Sequence, residues 1–110
     1  MKISDLRFDE RGLIPVIVQE AEKGDVLMFG WANEEAIRTT FDKGLATFWS
    51  RSRDELWTKG DTSGDRLHLV EMRFDCDEDV VLYRVHLEGK GACHTGEYSC
   101  FYRTLEAPNE

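Results

Sequence analysis

Two runs of alternating apolar and polar residues, Arg66 to Phe74 and Val80 to Leu87, are separated only by Asp75-Cys76-Asp77-Glu78-Asp79. Alternation at period two gives each run one buried face, and so short a polar connection joins them as a hairpin or an adjacent antiparallel pair. This half of the chain is thereby committed to a β-sheet. The first half repeats the pattern: Ile14 to Glu20 is strand-like, Glu22-Lys23-Gly24-Asp25 reads as a turn, and Val26 to Trp31 follows as a partner strand. Asn33 then stands where an N-cap belongs, Glu34 and Glu35 suit the positive end of a helix dipole, and Gly44 supplies a stop. These signals predict a helix over residues 34–43.

Ala46 to Trp49 is β-prone, whereas Ser50 to Asp65 is polar and contains Gly60 and Gly64. It reads as a long loop interrupted by Leu56-Trp57, and loops that long in a small domain are usually functional. Gly89 to Gly96 reads as a Gly-rich loop ahead of Tyr98 to Leu105, and the polar residues 106–110 as a frayed tail. No internal repeat, linker or low-complexity tract interrupts the chain. The expectation is one domain over residues 1–110 of α+β class, a small and mainly antiparallel β-sheet with one principal helix. A core built from 110 residues leaves a thin stability margin, which favours a homodimer that covers further apolar surface.

Twenty-two acidic against fourteen basic residues give a formal net charge of −8, which opposes non-specific attraction to nucleic acid and to anionic membranes. No apolar run is long enough to span a bilayer, and Met1-Lys2-Ile3-Ser4-Asp5 lacks the apolar region of a signal peptide. A cytoplasmic location is expected. There the three cysteines, an odd number, are expected as free thiols or metal ligands, because the cytosol keeps thiols reduced.

Three stretches carry candidate chemistry. In the first, Asp75, Asp77 and Asp79 alternate along the chain, so an extended backbone projects their carboxylates to one side and Cys76 to the other. Hard oxygen ligands suit Mg²⁺ and a soft thiolate suits Zn²⁺. An acidic turn whose Asp side chains cap backbone groups accounts for the same residues equally well. The second stretch, Cys93-His94-Thr95-Gly96-Glu97-Tyr98-Ser99-Cys100, holds two thiols and an imidazole. With Cys76 it offers three thiolates and an open fourth position, the pattern of a catalytic zinc; His94 as fourth ligand would close the site and make it structural. The third stretch, Ser50-Arg51-Ser52-Arg53 followed by Lys59, Thr62 and Ser63, has the cations, hydroxyls and glycines of a phosphate cradle. Its alternative is a solvated basic loop held by surface ion pairs. Trp31, Trp49 and Trp57 are read as core.

Together these stretches resemble the phosphoribosyl-AMP cyclohydrolase family over nearly the whole chain, from about residue 14 to Arg103. The resemblance rests on Trp49 to Arg53 with Leu56 to Gly60 and Thr62-Ser63-Gly64, on Asp75 to Asp79, and on Cys93 to Gly96 with Ser99-Cys100-Phe101. It implies a hydrolase of histidine biosynthesis that breaks the N1–C6 bond in the adenine ring of 1-(5-phosphoribosyl)-AMP, giving an imidazole carboxamide ribotide. It also implies zinc on Cys76, Cys93 and Cys100, one per subunit, magnesium on Asp75, Asp77 and Asp79, and a homodimer that shares each zinc site between subunits.

Zinc lowers the pKa of water towards neutrality. Three thiolates donate strongly and weaken that effect, so a base is needed, and His94 beside Cys93 is the expected one. The substrate's two 5′-phosphates need local compensation within about 8 Å in so acidic a chain. Ser50, Arg51, Ser52, Arg53, Lys59, Thr62 and Ser63 are the expected substrate-binding residues. A different class stands against the enzyme reading: a zinc-stapled interaction module without catalysis. A zinc nucleoside deaminase would need a CxxC pair and an upstream His-x-Glu, which the sequence lacks.

Overall fold

Ile14–Glu20 (β1) and Val26–Ala32 (β2) pair antiparallel in a computed structural model of the chain, which describes residues 1–108. Residues 109 and 110 of the tail expected to fray lie outside the described residues. Alternation in β1 buries Ile14, Val16, Val18 and Glu20 and leaves Pro15, Ile17 and Gln19 towards the opposite face. The helix forms over Glu34–Lys43 (α1), where the Asn33 side chain accepts the Ala36 N–H at 2.8 Å and Gly44 closes the last turn with φ 70°. α1 buries Ala36, Ile37 and Thr40. Thr40 Oγ1 donates to the Ala36 carbonyl and accepts from the Thr47 N–H at 3.0 Å, so the helix is tied to the strand that follows it.

Four further strands complete the fold: Thr47–Ser50 (β3), Glu55–Thr58 (β4), Leu67–Phe74 (β5) and Val81–Leu87 (β6). The main sheet has the order β2-β1-β6-β5, and β3 pairs with β4 in a small second sheet. β5 and β6 are the antiparallel pair that the alternating runs predict. The central pair, β1 and β6, is parallel, so the sheet is mixed. No short turn joins these two strands, and the long excursion between them leaves their relative direction free of hairpin geometry.

The stretch Ser50 to Asp65 differs from the long loop expected of it. Leu56 and Trp57 lie in β4, with Trp57 opposite Phe48 in register and stacked on its ring at 4.9 Å. The apolar pair gains burial by pairing with β3, and only the connections on either side remain loop. Phe48 is fully buried, as are Leu27, Leu67, Tyr83 and Val85, each such apolar side chain contributing about 1.5–3 kcal/mol. β3 packs on β2 at Gly30, where a Cβ would stand 2.7 Å from the Phe48 ring. That bare backbone brings the β3–β4 hairpin, and the arginines at its tip, against β2. No helix among the described residues is long and apolar enough to cross a membrane.

Candidate active site

The connection from β5 to β6 must reverse direction within the six residues 75–80, and it does so as a tight turn. The Asp75 N–H donates to the Val80 carbonyl and the Glu78 N–H to the Asp75 carbonyl, both at 3.0 Å, with Glu78 at φ 65°. Strand-like alternation, which would have sent Cys76 away from the carboxylates on an extended chain, is therefore absent. The curl itself makes Asp75, Asp77 and Asp79 converge, with one carboxylate oxygen from each within 4.8 Å of the others. Asp75 also caps the turn, accepting the N–H groups of Asp79 at 2.9 Å and Val80 at 3.1 Å. Both roles read from the sequence are thus compatible in one turn.

Electrostatics inside the cluster are lopsided. Burial opposes charge on Asp75, but the N–H groups of Asp79 and Val80 outweigh it and hold the carboxyl below its ordinary value. Asp79 is pushed up, first by its hydrogen bond with Asp75, then by burial and by the neighbouring charges of Asp75 and Asp77. A cation among the three would relieve that repulsion. Hard oxygen donors, two of them on exposed residues, fit a hydrated Mg²⁺ that keeps most of its waters.

The second cluster is assembled by a loop folded back on itself. Cys93 N–H donates to the Glu97 carbonyl and Gly96 N–H to the Cys93 carbonyl, while the Cys100 N–H reaches the Leu27 carbonyl of β2 at 2.7 Å. Gly91 permits this return, because a Cβ there would stand 2.1 Å from the Glu97 carbonyl oxygen. Cys93 and Cys100 thus share one folded loop, in which each thiol acts on the other and both feel the positive charge of Lys59. Thr95 Oγ1 stands 3.0 Å from the Cys93 sulfur. The Thr95 hydroxyl and N–H, aided by Cys100 and Lys59, hold the Cys93 thiol below its ordinary value against burial. Burial, then the charge of Cys93, pushes Cys100 up. The two thiols are thus shifted in opposite directions, and a cation bound between them would favour the charged form of both.

Cys76 is not in this group. It is exposed in the Asp turn ahead of β6, whereas Cys93 follows the other end of β6 and Cys100 is tied to the start of β2. Seven residues of strand rise roughly 23 Å, so Cys76 and the thiol pair belong to opposite ends of the sheet. Zn–S bonds are about 2.3 Å long, and no zinc reaches all three thiols of one chain. The Asp trio is the one group of three metal-ligating side chains that converges among the described residues. Two soft donors beside a lysine fit a zinc half-site that lacks its third ligand. His94 is exposed next to Cys93, with no hydrogen bond among the described residues.

The basic stretch divides at the β3–β4 turn. Ser50 Oγ lies 3.4 Å from Ser52 Oγ and accepts the Arg53 N–H at 3.2 Å, while Arg53 pairs with Glu55 at 3.6 Å. Arg53, Lys59, Thr62 and Ser63 line one cavity together with Trp57. Arg51 turns the other way and lies over the Trp31 ring at 4.5 Å. Of the three tryptophans read as core, Trp57 packs against the core while also lining the Arg53 cavity, and Trp31 and Trp49 are likewise only partly buried. Two residues with no role in that reading also matter. Thr95 touches the Cys93 sulfur, and a hydroxyl two positions after a thiol in a tight turn is the signal that could have found it. Asp65 Oδ1 accepts the Lys90 N–H at 3.0 Å and clamps the loop after β4 to the Gly-rich loop.

A family model described as phosphoribosyl-AMP cyclohydrolase matches residues 28–102. A protein of Archaeoglobus fulgidus with that name is 58% identical over 102 residues, covering 93% of this chain and 94% of its own. Relatives of the same name from Bordetella petrii and Marinobacter nauticus are 53% and 51% identical, over 96% and 94% of this chain and 79% and 75% of theirs.

Proposed function

The chain belongs to the phosphoribosyl-AMP cyclohydrolase family, and from that premise we propose that it is a zinc-dependent hydrolase opening the adenine ring of 1-(5-phosphoribosyl)-AMP at the N1–C6 bond, a step of histidine biosynthesis. The observation that carries this reading is the Cys93–Cys100 thiol pair beside Lys59, one ligand short, in a chain whose third cysteine sits at the far end of the sheet. Cys93 and Cys100 of one chain and Cys76 of a second copy complete the zinc ligands. Since Cys76 lies within the Asp75–Asp79 turn, the magnesium-binding carboxylates accompany it across the interface. Apolar surface suited to a homodimer supports this: Ile17 and Phe29 face each other across β1 and β2 on the open side of the sheet, and Phe101, Tyr102 and Leu105 are exposed beyond Cys100.

When bound, zinc supplies Lewis acidity that lowers the pKa of water and makes a nucleophile available near neutral pH. His94, free of other partners, takes the proton from the attacking water and returns it to N1 as the N1–C6 bond breaks. Lys59 offers positive charge beside the thiols, where negative charge accumulates. Ser50, Arg51, Ser52, Arg53, Thr62 and Ser63 bind the phosphates by charge-assisted hydrogen bonds and hold the ring in place.

The test is to supply the purified protein with phosphoribosyl-AMP, follow ring opening by ultraviolet absorbance, and measure zinc per chain. Turnover with about one zinc per chain, lost to a chelator and restored by zinc, is expected. A fully zinc-loaded protein without turnover would overturn the activity and return the chain to the zinc-stapled module.

A further inference from the structure

We propose that Arg11, outside every motif in the sequence, joins Arg51 and Ser52 in a phosphate subsite separate from that of Arg53, Lys59, Thr62 and Ser63. The two 5′-phosphates of the substrate are then held on opposite sides of one hairpin tip. The inference deepens the function proposed above and rests on it for the identity of the substrate.

Placement is the first support. Arg11, Arg51 and Ser52 line one open cavity, and Arg53, Lys59, Thr62 and Ser63 line another, with no residue in common. Within the Ser-Arg-Ser-Arg run, Arg51 and Ser52 line the first cavity and Arg53 the second, so one hairpin tip serves both.

Charge is the second. Among the described residues, Arg7, Arg38, Arg53, Arg73 and Arg84 each have a carboxylate within 4.0 Å, whereas Arg11, Arg51, Arg66 and Arg103 have none, and of these four only Arg11 and Arg51 line one cavity together. The chain carries 22 acidic residues and a net charge of −8, yet these two guanidinium groups share a cavity without a counter-ion. Like charges brought together repel, and a bound anion turns that repulsion into attraction.

Preorganisation is the third. The Arg51 guanidinium lies over the Trp31 ring at 4.5 Å, a cation–π contact that fixes its position and leaves its N–H donors to bind a ligand. Asp9 Oδ1 accepts the N–H groups of Arg11 at 2.9 Å and Leu13 at 2.8 Å, which sets the turn carrying Arg11 just ahead of β1. Pro15 of β1 stands opposite Trp31 of β2, so both arginines belong to the same end of that strand pair. Planar forks and a serine hydroxyl match the oxygens of a phosphate monoester.

Kinetics of the zinc-loaded protein with phosphoribosyl-AMP test the subsite. Arg11→Ala is expected to lower kcat/KM by about 10- to 100-fold, with zinc content and melting temperature unchanged and partial recovery in Arg11→Lys. Arg11→Ala with Arg51→Ala should lose less than the product of the single losses, because both arginines hold one phosphate, whereas Arg11→Ala with Arg53→Ala should multiply. A kcat/KM of Arg11→Ala within twofold of wild type overturns the proposal, as does equal coupling in the two pairs. Calorimetry with ribose 5-phosphate reads the subsites without turnover: two per chain in wild type and one in the Arg11→Ala, Arg51→Ala protein are expected. Any other count overturns the subsite. Absent turnover with two ribose 5-phosphate sites instead sinks the proposed reaction and leaves the subsite standing.

Discussion

The Asp75–Asp79 turn draws all three of its carboxylates from five consecutive residues, whereas the loop from Cys93 to Cys100 gathers two thiols and leaves the third at the other end of the sheet. The carboxylate cluster is mainly local: once β5 and β6 pair, the reversal between them brings the three carboxylates together, with the Arg7 N–H donating to the Glu78 carbonyl as a contact from outside the hairpin. The thiol cluster is distributed. It depends on Cys100 being tied to β2, on Gly91 letting the loop return, and on Lys59 being set beside it by the end of β4. A site of the first kind is expected to withstand lesions elsewhere in the chain, and a site of the second kind to fail with any of its parts.

The largest expected effect falls on the distributed cluster. Cys100→Ser removes one of the two thiols that one chain brings together, so zinc content and turnover should vanish together, by more than about 10³-fold in kcat. Magnesium affinity should be untouched. Zinc retained at full occupancy would mean that the thiol pair is not the half-site. Next comes His94→Asn, for which a loss of roughly 10²- to 10⁴-fold in kcat with zinc retained is expected. Zinc lost in that protein would make His94 a ligand, and the thiol cluster would then need less from a second copy.

Asp77→Asn probes the local cluster. Removing one of three carboxylates should raise the magnesium concentration needed for half-maximal activity on the order of tenfold, with zinc content unchanged. If zinc falls as well, the two clusters are not separable and the contrast between them breaks. The smallest effect on the sites is expected from Gly30→Ala, whose Cβ would press on the fully buried Phe48 ring. Overpacking there should cost about 1–3 kcal/mol in denaturant unfolding and leave magnesium binding intact.

Legibility in the sequence follows the same division between local and distributed. Strands β1, β2, β5 and β6 and the helix with its Asn33 and Gly44 caps are set by neighbours in the chain, and period and cap chemistry revealed them. The parallel pairing of β1 with β6 joins residues about 65 apart, such as Val16 and Val81, and nothing in either strand's pattern encodes it. β4 was hidden because Leu56-Trp57 is too short an apolar run to read as a strand until Trp49 and Phe48 are set opposite it. In the site, the Asp trio and the closeness of Cys93 to Cys100 were legible because few residues separate their members. The partition of Arg51 from Arg53, and the meeting of Arg51 with Arg11, were not, because they depend on which way a hairpin tip turns its side chains.

The most direct measurement of the shared zinc site mixes two inactive proteins. Cys76→Ser and Cys93→Ser chains, exchanged and shown by size-exclusion chromatography to be dimers, should form heterodimers in which one site carries both lesions and the other keeps all three thiols. Random re-association gives about half heterodimers with one intact site in two, so activity should return to roughly a quarter of wild type. Zinc should return in the same proportion. If exchange is complete and activity stays at the level of the separate variants, every site still holds a lesion, all three ligands come from one chain, and the shared centre is contradicted.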